Sequence, residues 1–112
     1  MTAKRPVVLN GIGEVVDKSD LLDRAILVEL QAIPEEQRRP EKTFWREFEA
    51  VRPQILGAIL DVVATALKNL PSTHFDALPR MADFSLWVEA AAPALVWERE
   101  EFLNAYRQNR AE

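Results

Sequence analysis

Cysteine is absent from this chain of 112 residues, and histidine occurs only once, as His74. The lack of cysteine excludes disulfide bonds and thiolate metal sites, and it is compatible with a reducing compartment. A single histidine with Asp76 two residues away does not provide the three or four ligands of a zinc site, so we interpret His74 as solvated or capping. We expect no metal site on this chain.

Positive charge is also scarce, because 14 lysines and arginines face 18 acidic residues and give a net charge of -4. Nucleic-acid surfaces are usually basic, so we expect no direct nucleic-acid binding. No uninterrupted apolar run is long enough for a membrane span, and residues 1–6 lack the apolar centre of a signal peptide. The sequence therefore predicts a cytoplasmic protein without a membrane partner.

A phosphate loop of the Gly-x-x-x-x-Gly-Lys-Ser/Thr type is missing as well. The glycine-containing turn at residues 10–13 is followed by Glu14 and Val15, with no lysine to reach a phosphate. An acidic strand end that would hold magnesium is absent, and no serine has a partner base. We expect no catalysis, and no bound ATP or magnesium, on this chain alone.

Two short apolar runs, residues 6–9 and 25–30, have the composition of buried β-strands. Between them, Ser19 and the acidic residues that follow predict a helix of one or two turns. Two strands alone are marginal as an independent sheet. The predicted sheet is therefore incomplete.

From Glu41 onward the apolar residues recur at helical spacing as far as Leu70, which is the strongest pattern in the sequence. Pro53 lies inside this stripe and predicts either a kink or two consecutive helices. Further amphipathic segments predict a helix that carries Met81 and ends at Pro93, and a last helix within residues 98–110. We expect the stripe, together with Trp45, Trp87 and Trp97, to form the core.

The predicted fold is thus mainly α: a small bundle of three to four helices, preceded by two short β-strands and a short helix. We divide the chain into residues 1–33 with the strands, a linker at residues 34–42, and the bundle at residues 43–112.

The string Arg5-Pro6-Val7-Val8-Leu9-Asn10-Gly11-Ile12, followed by Asp20-Leu21-Leu22-Asp23-Arg24-Ala25, resembles the end of a known ATPase core. The family is that of AAA+-like P-loop ATPases in phage and mobile-element primase-helicases. Residues 44–49, 53–57 and 78–84 resemble the helical lid of that family. The resemblance spans most of the chain, and it implies DNA replication, with ATP and magnesium in the full-length family.

The resemblance gives three residues candidate roles. Asn10 matches sensor 1, which orients the attacking water or the γ-phosphate; Arg24 matches an arginine finger; and Arg80 matches sensor 2 at the start of a lid helix. Simpler interpretations stand beside them. Asn10 with Gly11 suits a tight turn, Arg24 suits a solvated helix end, and Arg80 suits a salt bridge to Asp83 or Asp76.

Two functional hypotheses follow. The first is a non-catalytic C-terminal fragment that resembles a lid and sensor region, which couples nucleotide state to DNA remodelling only when an upstream ATPase core packs on Val7, Leu9, Ile26 and Val28. Because Met1 lies just before the Arg5-Pro6 segment, we expect a truncated gene or a piece of a longer reading frame. The alternative is a small helical interaction or dimerisation module that forms a homo-oligomer through its strand edges and apolar helix faces.

Overall fold

The computed structural model describes residues 5–13 and 19–111. In this part the chain forms helices joined by loops and by two short 3₁₀ turns, Glu35–Gln37 and Leu70–Ser72. The helices are α1 (Ser19–Leu22), α2 (Glu41–Asn69), α3 (Ala82–Leu95) and α4 (Glu101–Ala111). The mainly helical prediction and the short first helix are confirmed.

The prediction of two β-strands is wrong. Residues 6–9 and 25–30 have no regular secondary structure, and no strand occurs anywhere in residues 5–13 and 19–111. Val8 and Val28 of these segments are 91% and 76% exposed. Apolar and β-branched composition shows which side chains suit a strand, but a strand forms only when a neighbour accepts its backbone hydrogen bonds. Neither segment has a neighbouring strand within the described residues, and the backbone of Leu27 bonds to the side chain of Asn109 instead.

α2 passes through Pro53 as one helix of 29 residues, so the alternative of two separate helices is wrong. Proline removes the hydrogen bond to the carbonyl of Glu49, four residues earlier. Both residues are exposed, and water can therefore satisfy that carbonyl. The apolar stripe continues past the proline without a change of phase.

The C-terminal end of α2 packs on α3 through small side chains. Ala66, Ala90 and Ala91 are at most 1% exposed, and Val62, Trp87 and Leu95 pack around them. Alanine lets two helix backbones approach closely. The larger neighbouring side chains pack around the edges of this contact. The Asn69 side chain also donates a hydrogen bond of 3.1 Å to the carbonyl of Ala90 and fixes the end of α2 on α3.

α3 contains Pro93 and ends at Leu95, so the prediction that this proline stops the helix is wrong by two residues. The chain turns at Val96, which has a left-handed φ of 56°. The amide of Trp97 bonds to the carbonyl of Ala92 at 3.1 Å, as in a Schellman motif. The next turn places Glu100 so that its amide donates to both carboxylate oxygens of Glu89, at 3.0 and 3.1 Å.

The core is smaller than the sequence predicts. Most of the apolar stripe on α2 is exposed, with Leu56 and Leu60 each at 57%, and the side chains of Trp45 and Trp97 are 50% and 40% exposed. Large apolar side chains of α2 and of residues 6–9 and 25–30 are thus exposed in the described part of the single chain.

Candidate functional site

An open cleft of about 740 Å³ lies where the first described residues meet the loop after α1 and the start of α3. Its walls combine cationic and apolar side chains from these three segments: Arg5, Pro6, Arg24, Arg80, Met81 and Phe84. We call this the arginine cleft. It joins residues that are as many as 79 positions apart in the sequence.

The arginines of the cleft have no carboxylate partners in the described part of the chain. The salt bridges found there are Arg39 with Glu47, and Arg52 with Glu49. Arg5, Arg24 and Arg80 take part in neither. Three arginines from separate segments thus line one concave surface, although the chain as a whole carries a net charge of -4.

The segment that carries Arg24 is fastened to α4. The Tyr106 hydroxyl donates to the carbonyl of Asp23 at 2.5 Å. The Asn109 side chain accepts from the Leu27 amide at 2.9 Å and donates to the Leu27 carbonyl at 3.0 Å. Asparagine can make both bonds because its amide carries a donor and an acceptor side by side. These contacts fix the backbone on both sides of Arg24.

The opposite wall is formed by the start of α3. Arg80 directly precedes Met81, whose carbonyl accepts the Ser85 amide at 2.9 Å and so begins the helix. Phe84 is 47% exposed and faces the cleft on one side. On the other side its ring lies 5.8 Å from that of Phe102, which stacks on Tyr106 at 6.1 Å. Both walls thus depend on α4.

Two of the three residues singled out from the sequence come together here. Arg24 and Arg80 line the arginine cleft, and neither Asp83 nor Asp76 forms a salt bridge with Arg80 in the described part. Asn10 is exposed and is not one of the lining residues. It stands before Gly13, whose φ of 92° suits glycine, as expected of a turn. Their sensor and finger roles stay predictions.

Arg5 has no predicted role, although this residue begins the string that carries the resemblance. Its importance depends on a long-range approach to α3, which has no local pattern. A lone arginine before a proline is common in loops. Only the folded chain distinguishes it from a solvated side chain.

The other residues considered for a functional site lie outside the arginine cleft. His74 lines a smaller cleft of about 270 Å³ together with Glu89 and Arg99. Within residues 5–13 and 19–111, no group of three or more histidine or acidic side chains is placed to hold a metal ion. Asp61 of α2 is exposed.

The segment Glu41–Ser72 is long and apolar enough, by length and composition, to cross a membrane, and only 6% of its most apolar window is buried. The sequence-based exclusion of any such segment was therefore too strict. Core helices of soluble proteins meet the same criterion, so it does not by itself place the helix in a membrane.

Comparison with known proteins gives one result. A family model described as Actinomycete integrative conjugative element replication protein matches residues 1–109. No curated protein matches the chain, and no solved structure matches it.

Proposed function

Because the chain belongs to the family of actinomycete integrative conjugative element replication proteins, we propose that it serves mobile-element replication as a non-catalytic lid and sensor region. Replication and the mobile element come from the family description. The sensor role is supported by the arginine cleft and by the resemblance of the sequence to P-loop ATPases. The resemblance also leads us to propose a cytoplasmic location.

The observation that carries the proposal is the convergence of Arg24 and Arg80 on one cleft. Guanidinium groups stabilise the charge that develops on a transferring phosphoryl group, and they hold phosphate oxygens in a fixed geometry. One arginine precedes α3 and the other follows α1. A phosphate between them would therefore couple nucleotide state to the position of the helices, as a lid requires.

The exposed surface supports a role within a larger assembly. Val7, Leu9, Ile26 and Val28 are all among the exposed apolar side chains. We propose that an ATPase core packs on this surface, where the segments containing these residues gain the strand neighbours that they lack here.

The test begins with the DNA upstream of the Met1 codon. We expect an in-frame extension that encodes a phosphate loop. In the protein translated from that whole frame, Arg24→Ala and Arg80→Ala should each lower kcat for ATP hydrolysis at least about 100-fold. Arg46→Ala is the matched control, because Arg46 is exposed, is outside the cleft and forms no salt bridge among the described residues. A frame without a phosphate loop, or unchanged kcat in both cleft variants, would contradict the proposal.

The second candidate function is a dimerisation module, which the exposed stripe on α2 favours. Leu56 and Leu60 lie on this stripe, and apolar patches of such extent mark interaction surfaces. Light scattering on the purified chain over a concentration series should then give twice the monomer mass. The double variant Leu56→Glu/Leu60→Glu should restore the monomer. A monomer at all concentrations excludes this candidate.

A further inference from the structure

We propose that two copies of this chain pair through α2, with the two helices antiparallel and a two-fold axis near Val51 and Arg52. The contact surface, which we call the uncovered stripe, consists of the exposed large apolar side chains Phe44, Trp45, Val51, Ile55, Leu56 and Ile59. The inference rests on the second candidate function above and deepens it, because it names the contact surface and the orientation of the partner.

The uncovered stripe continues the face of α2 on which α3 packs. At about 100° per residue, Phe44 and Ile55 project within about 20° of the direction of Val62. Val62 packs against the buried contact that Ala66 makes with α3. α3 has 14 residues and α2 has 29, so α3 can cover only about half the length of this face. The remaining half has the shape that receives a helix.

The extent of the uncovered stripe suits a weak dimer. Its six side chains are between 40% and 57% exposed. A large apolar side chain has an accessible area of roughly 150–250 Å², so the stripe offers on the order of 600 Å². The smallest specific interfaces bury about this area on each partner. We therefore expect a dissociation constant of about 100 µM, and the chain is then a monomer in unfolding experiments at about 5 µM.

The two ends of the uncovered stripe complement each other, which makes a second copy the fitting partner. At its start, the rings of Phe44 and Trp45 lie 5.2 Å apart, and both lie near Phe48, at 6.3 and 5.6 Å. Its other end, with Ile55 and Ile59, is aliphatic. An antiparallel pair places the aromatic cluster of each copy on the aliphatic end of the other, so the same contact forms twice. Aromatic side chains in apolar pockets are typical anchors of an interface.

The charges beside the centre of the uncovered stripe also suit a second copy. Arg52 and Glu49 lie one turn apart with 3.4 Å between their charged groups, and their side chains are 64% and 54% exposed. A two-fold axis near Arg52 brings Arg52 of each copy close to Glu49 of the other. Exposed pairs contribute little affinity, but they favour the register in which opposite charges meet.

A parallel arrangement conflicts with the position of α3. In a parallel pair, the C-terminal parts of both α2 helices would lie side by side, and each carries α3 on the same face. The two α3 helices would then occupy the same space. Antiparallel pairing leaves each α3 beyond the paired stretch, and it also opposes the two helix dipoles.

The experiment is light scattering on the purified 112-residue chain from about 5 µM to about 1 mM. We expect the mass to rise from 12.8 kDa towards twice that value. Ile55→Glu should weaken pairing at least about tenfold, because it places a charge in the contact. Leu67→Glu is the matched control, since Leu67 is a 64% exposed leucine on the same helix but outside the uncovered stripe. It should leave the dissociation constant unchanged, and equal weakening by both variants would overturn the inference.

Exchange of the two central charges tests the position of the axis. Arg52→Glu and Glu49→Arg should each weaken pairing about threefold on their own, because like charges then meet across the contact. An equimolar mixture of the two variants should recover the parent affinity, since each contact again joins opposite charges. Absence of recovery would overturn the placement of the axis and with it the inference. Circular dichroism at low concentration checks that every variant is folded.

Single cysteines test the orientation, because the parent chain contains none. Under mild oxidation at about 1 mM, a mixture of the Phe44→Cys and Ile59→Cys variants should form a mixed disulfide dimer. Neither variant should form one alone, since equal positions lie about 22 Å apart in the antiparallel pair. A disulfide dimer of Phe44→Cys with itself would show parallel pairing and contradict the inference.

The outcomes separate this inference from the proposed functions. A dimer with the same dissociation constant in the Ile55→Glu variant overturns the inference but leaves a dimerisation module that uses another surface. A monomer at about 1 mM overturns both the inference and the dimerisation module. Neither result affects the ATPase test above, since hydrolysis is measured in the longer protein.

Discussion

The middle and the C-terminal end of α2 show how much burial depends on an opposing surface. At the C-terminal end, Ala66 packs against α3 and is fully buried, while in the middle Leu56 and Leu60 remain more than half exposed. Both parts belong to one apolar stripe. The stripe identifies an apolar face, but within the described residues only the C-terminal part packs on another helix.

The arginines show the same contrast. Arg39 and Arg52 lie near or on α2 and pair with glutamates within eight residues of themselves. Arg5, Arg24 and Arg80 come from separate segments and meet without such partners in the described chain. Local pairing neutralises a surface charge, whereas long-range convergence leaves it available for a ligand.

The largest effect on stability is expected at Leu103, which is fully buried on α4. Leu103→Ala should lower the free energy of unfolding by about 2–5 kcal/mol, because it removes buried methyl groups and leaves a cavity. Urea unfolding followed by circular dichroism measures the change. A loss under about 1 kcal/mol would mean that α4 contributes little to the folded core.

Val96→Gly should stabilise the chain by about 1 kcal/mol. Val96 has a left-handed φ of 56° and is 91% exposed, so its β-branched side chain adds strain at the end of α3 without adding burial. Replacement by glycine removes the strain, although it also frees the unfolded chain. Thermal unfolding should show a higher midpoint, while Val96→Ala, as the control, should gain less. A lower midpoint for the glycine variant would contradict the left-handed conformation.

Ser85→Ala should raise stability by at most about 1 kcal/mol. The Ser85 hydroxyl is fully buried and has no hydrogen-bond partner in the described residues. Alanine has nearly the same volume as serine. The substitution removes a hydroxyl that gives up its hydrogen bonds to water when it is buried. Destabilisation in the urea experiment would show that the hydroxyl is bonded in solution.

The smallest effect is expected for Leu56→Ala, at most about 0.5 kcal/mol. This leucine is 57% exposed and belongs to the same stripe as the buried end of α2. The unfolding midpoint should not depend on protein concentration. A loss as large as that of Leu103→Ala would mean that another surface covers this face in solution, and a midpoint that rises with concentration would identify a second copy.

The helices could be predicted because helical periodicity depends on residues only a few positions apart. α2, α3 and α4 each show this periodicity. The strands could not, since the composition of residues 6–9 and 25–30 describes side chains, while strand formation depends on a neighbour. The same distinction applies to the arginine cleft. Arg24 and Arg80 were singled out by resemblance, but Arg5 and Phe84 acquire meaning only when the start of the chain approaches α3.

Residue types and their order are enough to show that these 112 residues are mainly helical, that they contain neither a phosphate loop nor cysteine, and where their apolar faces lie. These properties depend on residue types and on spacings within one or two turns. The burial of α2 at its C-terminal end, and the bonds from Tyr106 and Asn109 of α4 to the segment around Arg24, are visible only in the folded chain. Contacts over more than 80 residues depend on chain topology, which no local pattern encodes.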